Sequence, residues 1–423
     1  MPQGDLNRAL AELIHWEEQF KFVTGEAWAK RLPVEDEEHA AIISIFKATR
    51  GFGWSRAGGW IGRTASARRR GIEPFVLPEA TWEGVACEEE KETARNPTPK
   101  SRIVGLRLAD NNLSGPFPQR VNALKRLATL DLSANNVHGA IGFIGGMEAL
   151  RYFSANNCNL VGPVPTSVNQ LRALLEFNCA GNDLEGDVPW ASLAPCRRLL
   201  RLDLARNRLT GTLFDATLGV GVGELGNVQH LDLHDNGLSG ALPDGMAALV
   251  KLRHLDLSEN RLTGPLPRWL AGFSSLKKLD LHSNALTGPL PAAAFDALGG
   301  SNGALELIYL HRNRLSGTLP RELALLSHLR YVNLSHNDLE GPIPDCYCAE
   351  GGLTQLQTLL LNNNSIRTPY PAAIGNLSAL KDFFGAHGTF SCELGVPRRF
   401  RRREFEARYV TGTVKLTFNN FNG

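Results

Sequence analysis

The strongest constraint on this chain is a pattern of leucines that repeats every 24 residues. Residues 252–267 read LRHLDLSENRLTGPLP, and residues 276–291 read LKKLDLHSNALTGPLP. One such unit is too small to bury its own leucines, so stacked units must share a continuous core. The chain therefore grows by adding units along one axis, and its 423 residues do not require several globular domains.

The repeating unit is Leu-x-x-Leu-x-Leu-x-x-Asn-x-Leu, which is the consensus of a leucine-rich repeat. It predicts an α/β leucine-rich repeat solenoid, with a curved parallel sheet on the concave side and short 3₁₀ or irregular segments on the convex side. Gly-rich insertions lengthen the spacing at 219–226, 299–303 and 345–352. Eleven repeats, assigned to residues 102–379, align on one position, which is occupied by Asn111, Asn135, Cys158, Asn182, Asn207, Asn236, Asn260, Asn284, Asn313, Asn337 and Asn364.

Within one unit, the spacing separates scaffold residues from surface residues. Side chains alternate along a strand, so Leu255 and Leu257 point inward while His254 and Asp256 point to the other face. Asn260 falls where the chain leaves the strand, and its amide can pair with backbone groups that would otherwise be buried without partners. The leucines and asparagines are therefore expected to be scaffold.

The first hundred residues lack the repeat and predict a helical cap over the open end of the core. Residues 1–36 form an extension, in which Asp5 can cap a helix with an apolar stripe. Residues 37–101 form the cap itself, with a helix over 37–47. We expect the tryptophans that follow this helix to pack against the end of the solenoid.

Residues 37–423 resemble the plant-type leucine-rich repeat proteins, which occur as receptor ectodomains, secreted inhibitors and proteins of algae and other protists. The resemblance rests on the repeat tail Leu-x-Gly-x-Leu-Pro and on the cap sequence Ile45-Phe46-Lys47-Ala48-Thr49 with Trp54, Trp60 and Trp82-Glu83-Gly84-Val85. The caps of that family usually carry a disulfide-forming pair of cysteines, whereas only Cys87 is present here. The resemblance implies a receptor-like or defence protein at the cell surface or outside the cell.

The repeat pattern weakens near the C-terminus. Residues 380–410 are a degenerate repeat with a basic insertion, in which Arg398 to Arg403 are either an anion-binding island or a solvated loop. Residues 411–423 begin a further repeat that stops in mid-unit. This ending predicts a fragment of a longer protein or a truncated gene model.

Composition limits the possible partners and location. A formal net charge of +2 does not predict a nucleic-acid partner. No apolar run is long enough for a membrane span, and no signal-peptide pattern opens the chain. Seven cysteines without metal-type spacing favour a reduced, intracellular chain or a piece of a longer one. No phosphate-binding loop, zinc-protease motif, nucleophile elbow or kinase signature occurs, so we expect neither an enzyme nor a cofactor.

The concave face is the usual binding surface of such solenoids. In repeats five to eight, the position before the central leucine holds basic residues and the position after it holds aspartates. Further along, the face becomes aromatic, a composition that is enriched at interface hot spots. The predicted ligand-binding residues are Arg201, Asp203, His230, Asp232, His254, Asp256, Lys278, Asp280, Tyr309, His311, Tyr331 and Asn333.

The charged part of this face has three interpretations. It is a solvated surface whose charges compensate each other, a binding face for a polar peptide or glycan, or a metal site. The metal site would draw on His230, Asp232, His234, His254 and Asp256, although strand side chains rarely converge into the tetrahedron that zinc prefers. A pair of aspartates could also imitate a glycosidase, but stacked carboxylates lie closer together than either hydrolytic geometry requires.

These patterns together predict a non-enzymatic module that recognises a protein, peptide or glycan on the concave face. The family resemblance implies that it is the sensing part of a receptor-like or defence protein. The alternative is an intracellular scaffold for protein–protein interaction. The patterns do not identify the ligand.

Overall fold

The computed structural model describes residues 36–55, 84–89, 101–299, 303–366, 371 and 376–384. The predicted helix of the N-terminal extension, Trp60, Trp82, the basic run at 398–403 and the repeat start at 411–423 lie outside these residues. The chain divides into two compact units, Met1–Leu184 and Glu185–Gly423. Within the described ranges, no helix combines the length and apolar content that a membrane span requires.

The first unit begins with the predicted cap helix, α1, which runs from Asp36 to Ala48. Its apolar stripe is buried, and Ile42, Ile45 and Phe46 are nearly inaccessible to solvent. Trp54 follows a short 3₁₀ turn and meets the ring of Phe46 edge-on at 5.3 Å between centroids. The indole N–H of Trp54 donates a hydrogen bond to the carbonyl of Thr49 at 3.0 Å. The helical N-terminal cap is therefore confirmed.

A buried carboxylate attaches this helix to the first repeat. Glu38 is fully buried, and its carboxylate accepts a hydrogen bond from the backbone N–H of Ile103 at 2.8 Å. The guanidinium of Arg102 lies 3.0 Å from the other oxygen of Glu38. An isolated buried charge would be strongly unfavourable, and this pairing removes that cost. A charged residue beside an apolar stripe in the sequence does not predict such an attachment.

The main sheet of the first unit has five strands. Strands β1 (Val85–Glu89) and β2 (Ser101–Arg107) pair antiparallel, so the cap covers the edge of the first repeat. Strands β3 (Thr129–Asp131), β4 (Tyr152–Ser154) and β5 (Glu176–Asn178) then add in parallel. The other side of each repeat holds short second strands and 3₁₀ helices, at Ser114–Pro116, Asn136–Gly139, Asn159–Gly162, Gln119–Ala123, Ile141–Gly146 and Thr166–Gln170.

The main sheet of the second unit has eight parallel strands, one for each successive repeat. They are β6 (Arg201–Asp203), β7 (His230–Asp232), β8 (His254–Asp256), β9 (Lys278–Asp280), β10 (Leu307–Tyr309), β11 (Tyr331–Asn333), β12 (Thr358–Leu360) and β13 (Asp382–Phe384).

Shorter elements complete these repeats. Helices α2 (Trp190–Leu193) and α3 (Ala292–Leu298) each replace a 3₁₀ segment, and a small hairpin, Phe214–Asp215 with Val220–Gly221, occupies one Gly-rich insertion. The strand Asp183–Asp187 crosses the boundary between the two units. The second strands are Arg208–Thr210, Ser239–Ala241, Arg261–Pro265, Ala285–Pro289, Arg314–Thr318, Asp338–Gly341 and Ser365–Ile366, and the 3₁₀ helices are Val222–Glu224, Asp244–Ala248, Arg268–Gly272, Arg321–Leu325 and Asp345–Tyr347.

The core consists of the repeated leucines. Leu255 and Leu257 are fully buried, as are Leu279 and Leu281 in the next repeat. The strands pair in register, so that Leu231, Leu255 and Leu279 form one row across the sheet. Long parallel sheets, short 3₁₀ segments and few helices confirm the predicted leucine-rich repeat solenoid.

Asparagines of the consensus connect successive repeats. The side-chain amide of Asn260 donates to the carbonyls of Leu257 and Ser258 in its own repeat, and to Leu233 in the preceding one. Its carbonyl oxygen accepts the backbone N–H of Leu238, which also lies in the preceding repeat. Asn284, Asn313, Asn337 and Asn364 make the same set of bonds.

Cys158 takes the asparagine position in the third repeat, as the alignment of the repeats predicts. Its thiol donates a hydrogen bond to the carbonyl of Leu132 at 3.3 Å, which is the bond that the asparagine amide makes elsewhere. The sulfur also receives backbone hydrogen bonds from Asn135 and Val137, which lower the pKa of Cys158, although burial raises it by more. A small polar side chain can therefore occupy the asparagine position of the repeat.

The residue before each asparagine adopts a left-handed backbone. Ala134, Arg206 and Glu259 all have φ near +53°, and Gly181 occupies the same position in the fourth repeat. Residues with a Cβ rarely adopt this conformation, so the bonds of the following asparagine stabilise the turn against local strain.

Replacing Asn260 with alanine should lower the free energy of unfolding by about 2–4 kcal/mol, because buried backbone groups of two repeats lose their partners. Urea denaturation of the purified protein measures this change. The matched control is Asn227→Ala, which removes side-chain hydrogen bonds that are exposed to solvent, to Arg197 and Lys251. Equal losses in the two variants would contradict the role assigned to Asn260.

Candidate functional site

The outward face of the second unit's main sheet, called the sheet face below, presents three rows of side chains. Strand pairing aligns the first row and the second row directly, and the third row follows two residues later along each repeat. The first row is Arg201, His230, His254, Lys278, Leu307, Tyr331 and Thr358; the second is Asp203, Asp232, Asp256, Asp280, Tyr309, Asn333 and Leu360; the third is Ala205, His234, Ser258, His282, His311, Ser335 and Asn362.

This geometry places the predicted site residues on one surface, but the surface is more closely packed than a solvated face. Asp280 is only 5% exposed and Asp203 is 7% exposed. Asn333 and Ser258 are also buried. Neighbouring parallel strands lie about 4.8 Å apart, so side chains of adjacent rows cover one another. The charges of this face therefore act in a partly desolvated environment.

Two cations of the first row each pair with the second row. The guanidinium of Arg201 lies 2.9 Å from the carboxylate of Asp203. The ammonium of Lys278 lies between two carboxylates, 2.6 Å from Asp256 and 3.1 Å from Asp280. Burial lowers the pKa of Lys278, but these two carboxylates outweigh it and hold the pKa above its usual value. Lys278 is therefore a cation at any physiological pH.

Two histidines of the first row stack on each other instead of facing the aspartates as separate cations. The rings of His230 and His254 stack with 4.1 Å between centroids. Burial, followed by the effect of His254, lowers the pKa of His230 to about 3, so this ring is neutral at physiological pH. At this position the first row therefore adds no positive charge to offset the aspartates.

Two histidines of the third row are hydrogen-bonded to carboxylates of the second row. The Nδ1 atom of His234 lies 2.7 Å from Asp232, and that of His282 lies 2.6 Å from Asp280. These hydrogen bonds raise the pKa of both histidines. His282 is not among the predicted binding residues. The segment Asp-Leu-His, which occurs in both repeats, could have indicated this hydrogen bond between the histidine and the aspartate.

The carboxylates differ in proton affinity. Burial raises the pKa of Asp256, and the neighbouring Asp280 raises it further. Burial also raises the pKa of Asp280, but hydrogen bonds from His282 and Lys278 outweigh it and leave that pKa below its usual value. For Asp203, burial and the charge of Asp232 exceed the effect of Arg201, so its pKa is raised.

Aromatic residues follow the charged part of the sheet face. The rings of Tyr309 and Tyr331 lie 4.7 Å apart at their centroids, on adjacent strands and in different rows. The ammonium of Lys278 lies 5.6 Å from the ring centroid of Tyr309, within the range of a cation–π interaction. Both tyrosines are half-buried, and burial raises the pKa of both hydroxyls. They form one rigid apolar patch beside the charges.

A second stacked pair of histidines lies beside this patch. His282 and His311 have their ring centroids 4.4 Å apart, with nearly parallel planes. Burial, followed by the positive charge of His282, lowers the pKa of His311 to about 4. The Nδ1 atom of His311 is buried and has no hydrogen-bond partner among the described residues.

The structure brings together only some of the residues considered for a metal site. One candidate ligand atom from each of Asp232, His234 and Asp256 lies within 4.8 Å of the others. His230 and His254 stack on each other and are not part of this group.

Family comparisons agree with this fold. A family model described as "Leucine rich repeat" matches residues 226–286, and one described as "Leucine Rich Repeat" matches residues 328–349 and 355–377. The matched residues are therefore leucine-rich repeats, and the chain resembles plant-type leucine-rich repeat proteins.

Three solved structures are similar to this chain. The plant peptide hormone receptor RGFR1 in complex with RGF2 is 30% identical, with 65% of this chain and 42% of that chain covered and a TM-score of 0.59. A plant ice-binding protein is 26% identical, with 80% of this chain and 97% of that chain covered and a TM-score of 0.60. The Arabidopsis receptor kinase HAESA in complex with the peptide hormone IDA and the co-receptor SERK1 is 23% identical, with 83% of this chain and 66% of that chain covered and a TM-score of 0.51. At this identity, the likeness concerns the fold only.

The low pKa of His311 predicts a loss of stability in mild acid. Between pH 6.5 and about 4, the unfolded chain binds a proton that folded His311 does not, so stability falls as the pH drops. Phenylalanine keeps a ring against His282 and cannot titrate. Between pH 7 and pH 5, we expect the free energy of unfolding to fall by about 1 kcal/mol less in His311→Phe than in the wild type. This value allows for the partial exposure of the ring.

Urea denaturation at both pH values measures this difference. His328→Phe, which changes an exposed histidine outside the sheet face, is the control and should follow the wild type. Identical pH dependence in the wild type and His311→Phe would show that His311 has no such linkage.

Proposed function

We propose that this chain is a non-enzymatic recognition module that binds an extended segment of a protein or peptide along the sheet face. The observation that carries the proposal is the tyrosine pair, Tyr309 and Tyr331, held at 4.7 Å next to the ammonium of Lys278. Rigid aromatic side chains with partly buried bodies and accessible edges are typical centres of binding energy at interfaces.

The dimensions of the sheet face fit an extended peptide. Seven strands, β6 to β12, span about 29 Å at the usual strand spacing, which is the length of about nine extended residues. Over this distance, the ligand would pass from the charged rows to the aromatic patch. Lys278 pairs with two aspartates, so its charge is balanced before a ligand binds. Its ammonium can still orient polar groups of the ligand.

The comparison with RGFR1 supports a peptide ligand. That protein is a plant peptide hormone receptor, and its structure contains the peptide RGF2. This chain spans 42% of the length of that receptor structure, so a sensing role in a larger receptor at the cell surface is part of the proposal. An upstream signal peptide or a downstream membrane span in the full-length transcript would favour the receptor over an intracellular scaffold.

Hydroxyls that recur at one repeat position favour a second candidate, ice binding. Five successive repeats place Ser or Thr at this position, and the plant ice-binding protein shares this repeat fold over 97% of its length. Ser239 pairs with Arg261 and Thr263 pairs with Ala285, so hydroxyls of successive strands are offset by two residues and form an oblique row. Such hydroxyls could bond to ordered water. The row consists of Thr210, Ser239, Thr263, Thr287 and Ser316.

An ice-recrystallisation assay distinguishes this candidate from peptide binding. Inhibition by the wild type that is lost in Thr263→Arg would support it, because a long cation would interrupt the row. A wild type that does not inhibit recrystallisation would reject it.

Replacing both Tyr309 and Tyr331 with alanine should weaken peptide binding by at least about 30-fold, as expected for two central interface residues. The probe is a linear peptide selected from a displayed random library against the purified wild-type chain. Isothermal titration calorimetry gives its Kd for the wild type and for the double variant.

Tyr152→Ala is the matched control, since Tyr152 is a half-buried tyrosine on strand β4 of the first unit. It should bind the selected peptide as the wild type does. Equal binding by the double variant would reject the assigned location. Selection of glycans from a printed array, with no peptide recovered, would replace the peptide by a glycan ligand.

A further inference from the structure

Three side chains of the sheet face converge between repeats six and seven. A carboxylate oxygen of Asp232, a ring nitrogen of His234 and a carboxylate oxygen of Asp256 all lie within 4.8 Å of one another. Two repeats supply them: Asp232 ends strand β7 and His234 follows two residues later, whereas Asp256 ends strand β8. Strand pairing aligns Asp232 directly with Asp256, so the backbone fixes their separation.

The local charge is uneven at this point. Arg201 pairs with Asp203, and Lys278 is shared between Asp256 and Asp280. Asp232, which lies between Asp203 and Asp256, has only His234 as an ion-pair partner among the described residues. Strand pairing places the carboxylates of Asp203, Asp232 and Asp256 side by side, and like charges at this spacing repel each other. A bound cation would therefore relieve repulsion along the row.

The donor types favour a particular class of cation. One imidazole with two carboxylates suits divalent first-row transition metals such as zinc and cobalt, whereas calcium prefers six to eight oxygens. Ligands about 2.1 Å from one tetrahedral ion lie roughly 3.4 Å from each other. The 2.7 Å between His234 and Asp232 and the limit of 4.8 Å among the three ligand atoms lie on either side of this value, so side-chain rotations are needed to enclose an ion.

We propose that Asp232, His234 and Asp256 form a binding site for a divalent transition metal ion. The ion takes the place of the proton shared by His234 and Asp232, which leaves to solvent. In Asp256, Oδ1 accepts hydrogen bonds from Ser258 and Oδ2 contacts Lys278, so the metal replaces one of these contacts. Lys278 keeps its contact with Asp280. Three protein ligands leave at least one coordination position for water or for a donor atom of a partner. This site does not depend on the proposed peptide binding.

Co²⁺ is the probe for this site, because bound cobalt has visible absorption bands that report its ligands. The metal-free, full-length wild type is titrated with Co²⁺, followed by displacement with Zn²⁺. We expect one ion per chain, and we expect His234→Asn and Asp232→Asn to lower the affinity at least tenfold. Side chains of His234 and Asp232 are 24% and 25% exposed, and circular dichroism verifies that both variants are folded.

His282→Asn is the matched control. His282 bonds to Asp280 at 2.6 Å, as His234 does to Asp232, but the next strand presents Tyr309 instead of a carboxylate. This variant should retain wild-type cobalt affinity. Absence of cobalt binding in the wild type, or an equal loss in His282→Asn and His234→Asn, would overturn the proposal. If Asp232→Asn does not fold, the comparison of the two histidine variants still decides.

Discussion

The hydrogen bonds of the consensus asparagine hold the repeats together. In each of the eleven aligned repeats, the residue before the consensus position adopts a left-handed backbone conformation, and only Gly181 among these residues is a glycine. Asn260 satisfies buried backbone groups in its own repeat and in the preceding one, and the thiol of Cys158 does so in part. Since an unpaired buried backbone group costs about 1–3 kcal/mol, the stacking geometry depends on these side chains as much as on the leucines.

The same close stacking determines the chemistry of the sheet face. Parallel strands in register place like residues side by side, so four aspartates form a row and pairs of histidine rings stack. Burial and neighbouring groups then give the histidines of this face different pKa values. Burial lowers the pKa of His230 to about 3, whereas the hydrogen bond to Asp280 raises the pKa of His282. One face thus combines ion pairs, neutral rings and a tyrosine pair within a few repeats, which is a suitable surface for a ligand of mixed polarity.

The periodic pattern predicted the fold, the cap helix and the alignment of the rows, because these follow from spacing alone. Leu255 and Leu257 are buried, and Arg201 and Asp203 share the sheet face, as alternation along a strand requires. The pattern did not predict the burial of Glu38, the stacking of His230 on His254 or the hydrogen bond between His282 and Asp280. Those features depend on side-chain rotamers and on distances between repeats, which residue spacing does not specify. The left-handed residues were missed because only Gly181 among them is a glycine.

The asparagine bonds have a direction. The side chain of Asn284 reaches back to Leu257 and Leu262, and Asn313 reaches back to Leu281 and Leu286. Each repeat therefore completes the one made before it. During synthesis on the ribosome, a newly emerged repeat keeps unsatisfied polar groups until the next one follows, so the growing end of the solenoid is always its least finished part. Folding of this chain is consequently expected to proceed in the same order as translation, from the capped end outward.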